Sequence, residues 1–209
     1  PPFGEVFSLT LNGTEIYNTD MDYKVENIID ENDRVNLISL YKSLKQRKAY
    51  QDYNLFQLDK RLIGSEHFEA GPFQKLRKYA GKQVYSHYFL MYEEGAFTKM
   101  HTDNDDEIGL TIVTLLDEVD LVGGETIVHL PYQKKQKQDD QYIKGDMMDG
   151  QRAVPKIVPV EKGQSMVYDR SLLHGVCQVE KGKRLVLVSW YYADERAERI
   201  GVAHRVAKK

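Results

Sequence analysis

The chain has 209 residues, 41% of them hydrophobic and 29% charged, which is enough apolar material for one packed core and excludes wholesale disorder. Its 29 Lys and Arg against 32 Asp and Glu leave a net charge of −3, which counts against nucleic acid as a partner gripped through its phosphates. A single cysteine, Cys177, excludes an intramolecular disulfide and a cysteine zinc cluster and suits a reducing, cytoplasmic setting.

The longest apolar run, Leu110 to Leu116 with its threonines counted, falls far short of the ~20 residues a membrane helix needs, so a soluble chain with no membrane partner is expected. The chain opens on Pro1 rather than Met, so any leader peptide would lie outside it.

In chain order, residues 5–17 read as a hairpin, with alternating strands on either side of Asn12-Gly13, a pair that tolerates positive φ. Val35, Ile38, Tyr41 and Leu44, widened by Leu37 and Leu40, predict an amphipathic helix. Asp30 or Asp33 would cap it, and Lys45, Arg47 and Lys48 suit its C-terminal end. A short second helix over 73–80 follows Pro72 and stops at Gly81.

From Gln83 onward the chain turns β-branched and aromatic. Strands are predicted over 84–92, 110–116, 126–130, 156–160, 165–168 and 185–192. Pro131 to Pro155 is polar and mixed in charge, and reads as a long insertion without regular structure; both its ends lie near the candidate site, which makes it a candidate substrate lid through Tyr142 to Met148. Helix formers return after Tyr192. The expected fold is therefore α+β: residues 1–82 a hairpin and helical support layer, and residues 83–209 a jelly-roll core, the two forming one integrated domain.

Two of the six histidines have chemically suggestive company. His101 and Asp103 stand two apart, a spacing that puts both on one face of an extended strand. His174 follows the strand ending at Tyr168. If the strands bring it back, two imidazoles and one carboxylate make a facial triad, the ligand set of non-haem Fe(II) oxygenases. Arg184, ten residues after His174 and in the next strand, can add a fork that pairs bidentately with a carboxylate.

Four pieces in order carry a family resemblance: Tyr92-x-x-Gly95 leading to His101-x-Asp103; Gly123-Gly124-Glu125-Thr126; His174-x-Val176-x-x-Val179-x-x-Gly182-x-Arg184; and Ser189-Trp190-Tyr191-Tyr192-Ala193-Asp194-Glu195-Arg196-Ala197. Over roughly Val84 to Ala197 the sequence resembles the 2-oxoglutarate- and Fe(II)-dependent dioxygenases, in particular the oxygen-sensing and collagen-type prolyl 4-hydroxylases. The resemblance implies a double-stranded β-helix core. It also implies iron held by His101, Asp103 and His174, with Arg184 on the distal carboxylate of 2-oxoglutarate. Trp190 would wall the pocket, and Tyr92 and Thr126 would line the cosubstrate site. Dioxygen is the second cosubstrate, and ascorbate an optional reductant.

Two positions depart from the pattern: Leu115 stands where the oxygen-sensing enzymes place a tyrosine that assists the arginine, and Thr98 where the collagen-type relatives carry one. Arg184 would then take its hydroxyl partner from elsewhere, Tyr92 being one candidate.

The activity implied is hydroxylation of a peptidyl residue, with proline the leading candidate; the alternative is the same chemistry on a free amino acid or other small metabolite. Nucleic-acid demethylation is disfavoured by the acidic balance and by Trp190, which stands where those relatives carry a second arginine. Asp103 to Glu107 does not make an EF-hand, since Ile108 occupies the position that requires glycine. His67, His87, His129 and His204 read as structural.

Overall fold

The computed structural model describes residues 8–11, 14–17, 23–44, 47–48, 55–103, 105–129, 133–135, 142–144, 155–195 and 198. Its elements, in order, are β1 (Ser8–Leu11), β2 (Thr14–Tyr17), β3 (Tyr23–Glu26), α1 (Glu31–Ser43), β4 (Arg47–Lys48), β5 (Leu55–Leu62), α2 (Gly71–Ala80), β6 (Val84–His101) and β7 (Ile108–Gly123). There follow β8 (Thr126–His129), β9 (Gln133–Lys135), β10 (Tyr142–Lys144), β11 (Pro155–Val158), β12 (Ser165–Asp169), β13 (Leu173–Val176) and β14 (Val179–Tyr192). No described helix is long and apolar enough to cross a membrane.

Ten strands form one antiparallel sheet in the order β11-β8-β13-β6-β14-β7-β12-β3, with β5 added on β6 and β4 on β5. The sheet curls because its long strands change partners along their length. β6 pairs with β14 from Val84 to Tyr92 but with β13 at Thr98 and His101. β7 pairs with β14 throughout and also with β12 over Leu110 to Thr114. The result is a half-barrel, the double-stranded β-helix expected from the sequence, backed by two helices.

Both faces of the central strands are apolar, which is why they read as near-continuous hydrophobic runs. Phe89 on β6, Ile112 and Leu116 on β7, and Leu185, Leu187 and Tyr191 on β14 face Leu37 and Tyr41 of α1 and Phe73 and Leu76 of α2. The alternate residues Tyr88, Leu90, Tyr92, Leu115, Val186 and Val188 face inward on the concave side.

The helices are secured at their ends. Asp30 caps α1 through a reciprocal capping box with Asp33, and Lys75 of α2 bonds both carboxylates, at 2.7 and 2.5 Å. At the other end Arg61 of β5 donates to the carbonyls of Tyr41 and Leu44, closing the last turn. The buried stripe of α1 runs Asp33, Leu37, Tyr41 on the four-residue row, and Val35, expected in the stripe, is 51% exposed. α1 stops at Ser43, so Arg47 and Lys48 fall in β4 rather than in the helix end. α2 closes on Gly81 at φ 62.

Three features differ from the sequence-based expectation. β3 and β5 pair with β12 and β6, so residues 1–82 contribute strands to the sheet as well as helices. The long strands extend well past their apolar centres, into polar ends that the alternation reading truncates. Part of the insertion is regular, with β9 and β10 forming an antiparallel ladder from Tyr142↔Lys135 to Lys144↔Gln133. Near the start of β14, Gly182 takes φ 83, where a Cβ would run into the carbonyls of Val119 and Asp120.

On the helix-facing side, His87 is fully buried among Phe68, Phe73 and Tyr191, with Nδ1 2.8 Å from Ser189 Oγ. Burial drives its pKa down to about 3, so it folds as a neutral imidazole. A base whose folded pKa is depressed stabilises the fold fully above its unfolded value, near 6.5, and that stabilisation is lost as pH falls toward 3. The wild type should therefore lose about 1.4 kcal/mol per pH unit from this group as pH falls below ~6.5. His87→Asn, which keeps a partner for Ser189 but does not titrate, should show a flatter slope in urea denaturation between about pH 6.5 and 5. Equal slopes would rule His87 out as the source.

Candidate metal and cosubstrate site

The site forms where β6, β13 and the turn after β6 meet. His174 on β13 lies opposite His101 on β6, and the register shifts between His174 and Val176. The close approach depends on Gly175, where a Cβ would press on the Thr98 carbonyl and the Met100 sulfur of β6. The two imidazole rings lie 4.4 Å apart. Asp103 is buried beside them, with its backbone N–H on the Arg170 carbonyl and Oδ1 3.9 Å from His101 Nε2. One ligating atom from each of His101, Asp103 and His174 falls within 4.8 Å of the others, which makes this the metal-competent group among the described residues.

Hydrogen bonds around the triad set its tautomers and orientation. His101 Nδ1 donates to the Lys99 carbonyl at 2.8 Å and His174 Nδ1 to the Leu172 carbonyl at 2.9 Å, which leaves each Nε2 as the lone-pair donor toward a metal. Burial, then repulsion from His101, lowers the pKa of His174 and favours the neutral, ligating form. Thr111 Oγ1 donates to Asp103 Oδ2 at 2.6 Å and pins the carboxylate. Tyr168 donates to His174 Nε2 at 3.0 Å, so an ion at that nitrogen takes the place of this hydrogen bond. Two neutral imidazoles and a carboxylate, each oriented by a further partner, fit a non-haem Fe(II) ion. Thr111 and Tyr168 carry no sequence signal, because only strand pairing brings them to the ligands.

Arg184 is 4% exposed on β14, and burial lowers its pKa from the ordinary arginine value. Its Nη1 donates to the Gly124 carbonyl and its Nη2 to Thr126 Oγ1, both at 2.7 Å. Thr126, then, is the hydroxyl that the Leu115 position does not supply. Tyr92 presents its ring to the guanidinium, at 6.0 Å, while its hydroxyl bonds Thr98 Oγ1 at 2.8 Å. Thr126 pairs with Val176, two residues from His174, so the Arg184 end lies about 7 Å along the strand from the triad.

A cavity of about 280 Å³ connects these groups, with Tyr92, Thr98, His101, Asp103, Leu115, Thr126, Tyr168, His174, Arg184 and Trp190 in its wall. Trp190 lines the same cavity six residues along β14 from Arg184, against Tyr88 at 5.1 Å between ring centroids. Asp105 also reaches the wall, while Asp106 pairs with Arg170 outside. His129 is not brought to the triad. A larger groove of about 1150 Å³ lies beside α2, lined by charged side chains such as Lys78, Lys82 and Glu195, away from these ligands. The side chains of the expected lid, Tyr142 to Met148, lie outside the described residues.

No curated protein sequence matches the chain significantly. Solved structures share its fold at low identity. A prolyl-4-hydroxylase from Pseudomonas putida is 15% identical with a TM-score of 0.57, over 83% of this chain and 93% of that one. The viral collagen prolyl hydroxylase of Paramecium Bursaria Chlorella virus-1, in complex with 2-oxoglutarate, is 15% identical with a TM-score of 0.56, over 84% and 98%. HygX from Streptomyces hygroscopicus, with nickel, 2-oxoglutarate and hygromycin B bound, is 11% identical with a TM-score of 0.55, over 82% of each chain. The sequence profile of the 2OG-Fe(II) oxygenase superfamily matches residues 87–192, the stretch from the buried His87 to the end of β14. With half its length under that profile and every ligand position inside it, the chain belongs to the 2OG-Fe(II) oxygenase superfamily, whose members use Fe(II), 2-oxoglutarate and dioxygen.

Proposed function

We propose that this protein hydroxylates a peptidyl residue, proline being the leading candidate, with His101, Asp103 and His174 as the iron ligands and Arg184 as the anchor of 2-oxoglutarate. The observation that carries the reading is the convergence of three oriented ligand atoms within 4.8 Å in a cavity that also receives a buried guanidinium. The likeness to two prolyl hydroxylases supports the peptidyl substrate.

Iron and 2-oxoglutarate together supply the oxidising power for breaking a C–H bond. The chain supplies position and exclusion of water. Thr111 holds Asp103 to one rotamer, and the backbone carbonyls of Lys99 and Leu172 hold the imidazoles with Nε2 inward. Arg184 spends two donors on Gly124 and Thr126, which fixes the plane of its fork, and keeps others for a carboxylate. Leu90, Leu115, Val186 and Val188 keep the walls between these polar groups dry.

The second reading is hydroxylation of a free amino acid or other small metabolite; the modest cavity volume, about 280 Å³, and the hygromycin B bound to HygX favour it. Anaerobic titration with Fe(II) and 2-oxoglutarate, followed by oxygen and mass spectrometry of candidate peptides and amino acids, tests both readings. Succinate formed together with a peptide that gains one oxygen atom is the expected result. A free amino acid as the sole product favours the second reading, and no succinate with any candidate removes both.

A further inference from the structure

Three tyrosines stand in the cavity wall, Tyr88, Tyr92 and Tyr168. The Tyr92 hydroxyl bonds Thr98 Oγ1 at 2.8 Å, and that of Tyr168 bonds His174 Nε2 at 3.0 Å. Tyr88 is 6% exposed, yet its hydroxyl has no hydrogen-bond partner among the described residues. A hydroxyl withdrawn from water is costly unless something meets it. The Tyr191 hydroxyl, also unpartnered, is sealed in the core packing, whereas that of Tyr88 opens on the cavity.

The surroundings of Tyr88 make it a fixed donor. The Trp190 ring meets its ring at 5.1 Å and 79°, and Lys60 Nζ stands 4.0 Å over its face. A cation on the face draws electron density from the ring, which weakens the oxygen as an acceptor and strengthens the O–H as a donor. Burial, then the Asp103 carboxylate, raises the Tyr88 pKa, so the hydroxyl keeps its proton. Strand register places it away from the cosubstrate anchor. Tyr92 pairs with Arg184, and Tyr88 pairs with Val188, four residues or about 13 Å further along β14. The charges agree, since Arg184 bears on Tyr92 and Asp103 on Tyr88. The Tyr88 hydroxyl therefore belongs to the metal end of the cavity. Leu90 and Val188 flank it with apolar wall, which suits a single acceptor atom of a bound molecule.

We propose that the Tyr88 hydroxyl orients the substrate by donating a hydrogen bond to a carbonyl oxygen close to the carbon that is hydroxylated. This rests on the oxygenase reading above and narrows its substrate class to compounds with such an acceptor beside the reacting carbon. The oxygen belongs either to the carboxyl group of a free amino acid or to an amide carbonyl of a peptide.

Trp190 is the chain's one tryptophan and packs on Tyr88, so its fluorescence reports on this end of the cavity without turnover. With Mn(II) in place of iron and 2-oxoglutarate present, two sets of probes are titrated anaerobically. One holds the common amino acids in free form, the other their N-acetyl N-methylamides. Each probe that binds is compared with analogues lacking one carbonyl oxygen, either the carboxyl group of the free form or each amide carbonyl of the capped form in turn. Tyr88→Phe keeps the ring and removes the donor. The affinity lost with one of these oxygens should be about three- to ten-fold smaller in Tyr88→Phe than in the wild type, the range of a neutral hydrogen bond. An effect in the free set assigns the oxygen to an amino acid, and an effect in the capped set assigns it to a peptide. Tyr88→Phe should bind Mn(II) and 2-oxoglutarate as the wild type does and melt no lower, because the hydroxyl bonds nothing within the fold. Equal losses in the two proteins, no binding of any probe, a lower melting temperature, or weakened uptake of Mn(II) or 2-oxoglutarate by the variant overturns the role of Tyr88 alone. A wild type that takes up no Mn(II) and 2-oxoglutarate overturns the oxygenase reading and this inference with it.

Discussion

Asp103→Ala is expected to lower metal affinity by at least ~100-fold and to reduce succinate formation to background, while the protein stays folded. The expectation follows from what Asp103 touches. It is the only carboxylate in the triad, it is 7% exposed, and its rotamer is held by Thr111 through a 2.6 Å hydrogen bond. Removing the anion leaves two neutral imidazoles, which cannot compensate the charge of a divalent ion. Losing a partner that merely orients a ligand costs ~10–100-fold in metal affinity, and losing the ligand itself costs more. Thr111→Val should therefore fall between the wild type and Asp103→Ala.

Stability separates this role from a structural one. Because a buried carboxylate without a counter-charge is itself costly, Asp103→Ala without metal should melt near or above the wild type. Adding Mn(II) and 2-oxoglutarate should raise the melting temperature of the wild type by mass action and leave that of Asp103→Ala unmoved. A variant that keeps its metal-dependent shift would remove Asp103 from the ligand set.

How much of this was legible in the sequence depended on whether the information was local. His101 and Asp103 stand at i and i+2 on an extended chain, so their shared face follows from strand geometry before any fold is known. His174 and Arg184 were legible through their order and offset along two consecutive strands. Lys60, Thr111 and Tyr168 were not, because each reaches the site only through pairing with a strand distant in sequence. The same reason hid the partner of Arg184: the missing hydroxyl at Leu115 is supplied from β8 by Thr126, and nothing in the local pattern of either residue announces the exchange.

The fold shows the same division. The apolar centres of β6, β7 and β14 were plain, while their polar ends, which curl past the core, were not. β5 escaped notice because Asp59, Lys60 and Arg61 interrupt its apolar alternation. Each of the three is held by a tertiary contact instead, since Asp59 accepts from Tyr41, Lys60 faces the cavity and Arg61 caps α1. In α1 Val35 lies outside the buried stripe, which instead includes Asp33, the partner of Asp30 in the capping box.

Arg184→Lys is expected to raise the concentration of 2-oxoglutarate needed for half-maximal turnover by ~10–100-fold, the range of one or two lost charge-assisted hydrogen bonds. Lysine keeps the charge, but a single ammonium cannot bond the Gly124 carbonyl and Thr126 Oγ1 and also present a planar pair of donors to a carboxylate. Burial sharpens the loss. Arg184 is 4% exposed, so water cannot fill in for the missing donors, and a shorter cation there carries its own desolvation cost. Arg184→Met removes the charge and should raise the requirement further, at a cost in stability of about 1–3 kcal/mol, because the Gly124 carbonyl and Thr126 Oγ1 lose their donor. Thr126→Val should do less than either, since it frees one donor without removing the fork. Metal titration in the absence of 2-oxoglutarate separates this site from the triad: the Arg184 variants should bind Mn(II) as the wild type does, whereas Asp103→Ala should not. If Arg184→Met turns over with the wild-type 2-oxoglutarate constant, the cosubstrate carboxylate is held elsewhere in the cavity, and Lys60, the other cation in its wall, becomes the residue to test.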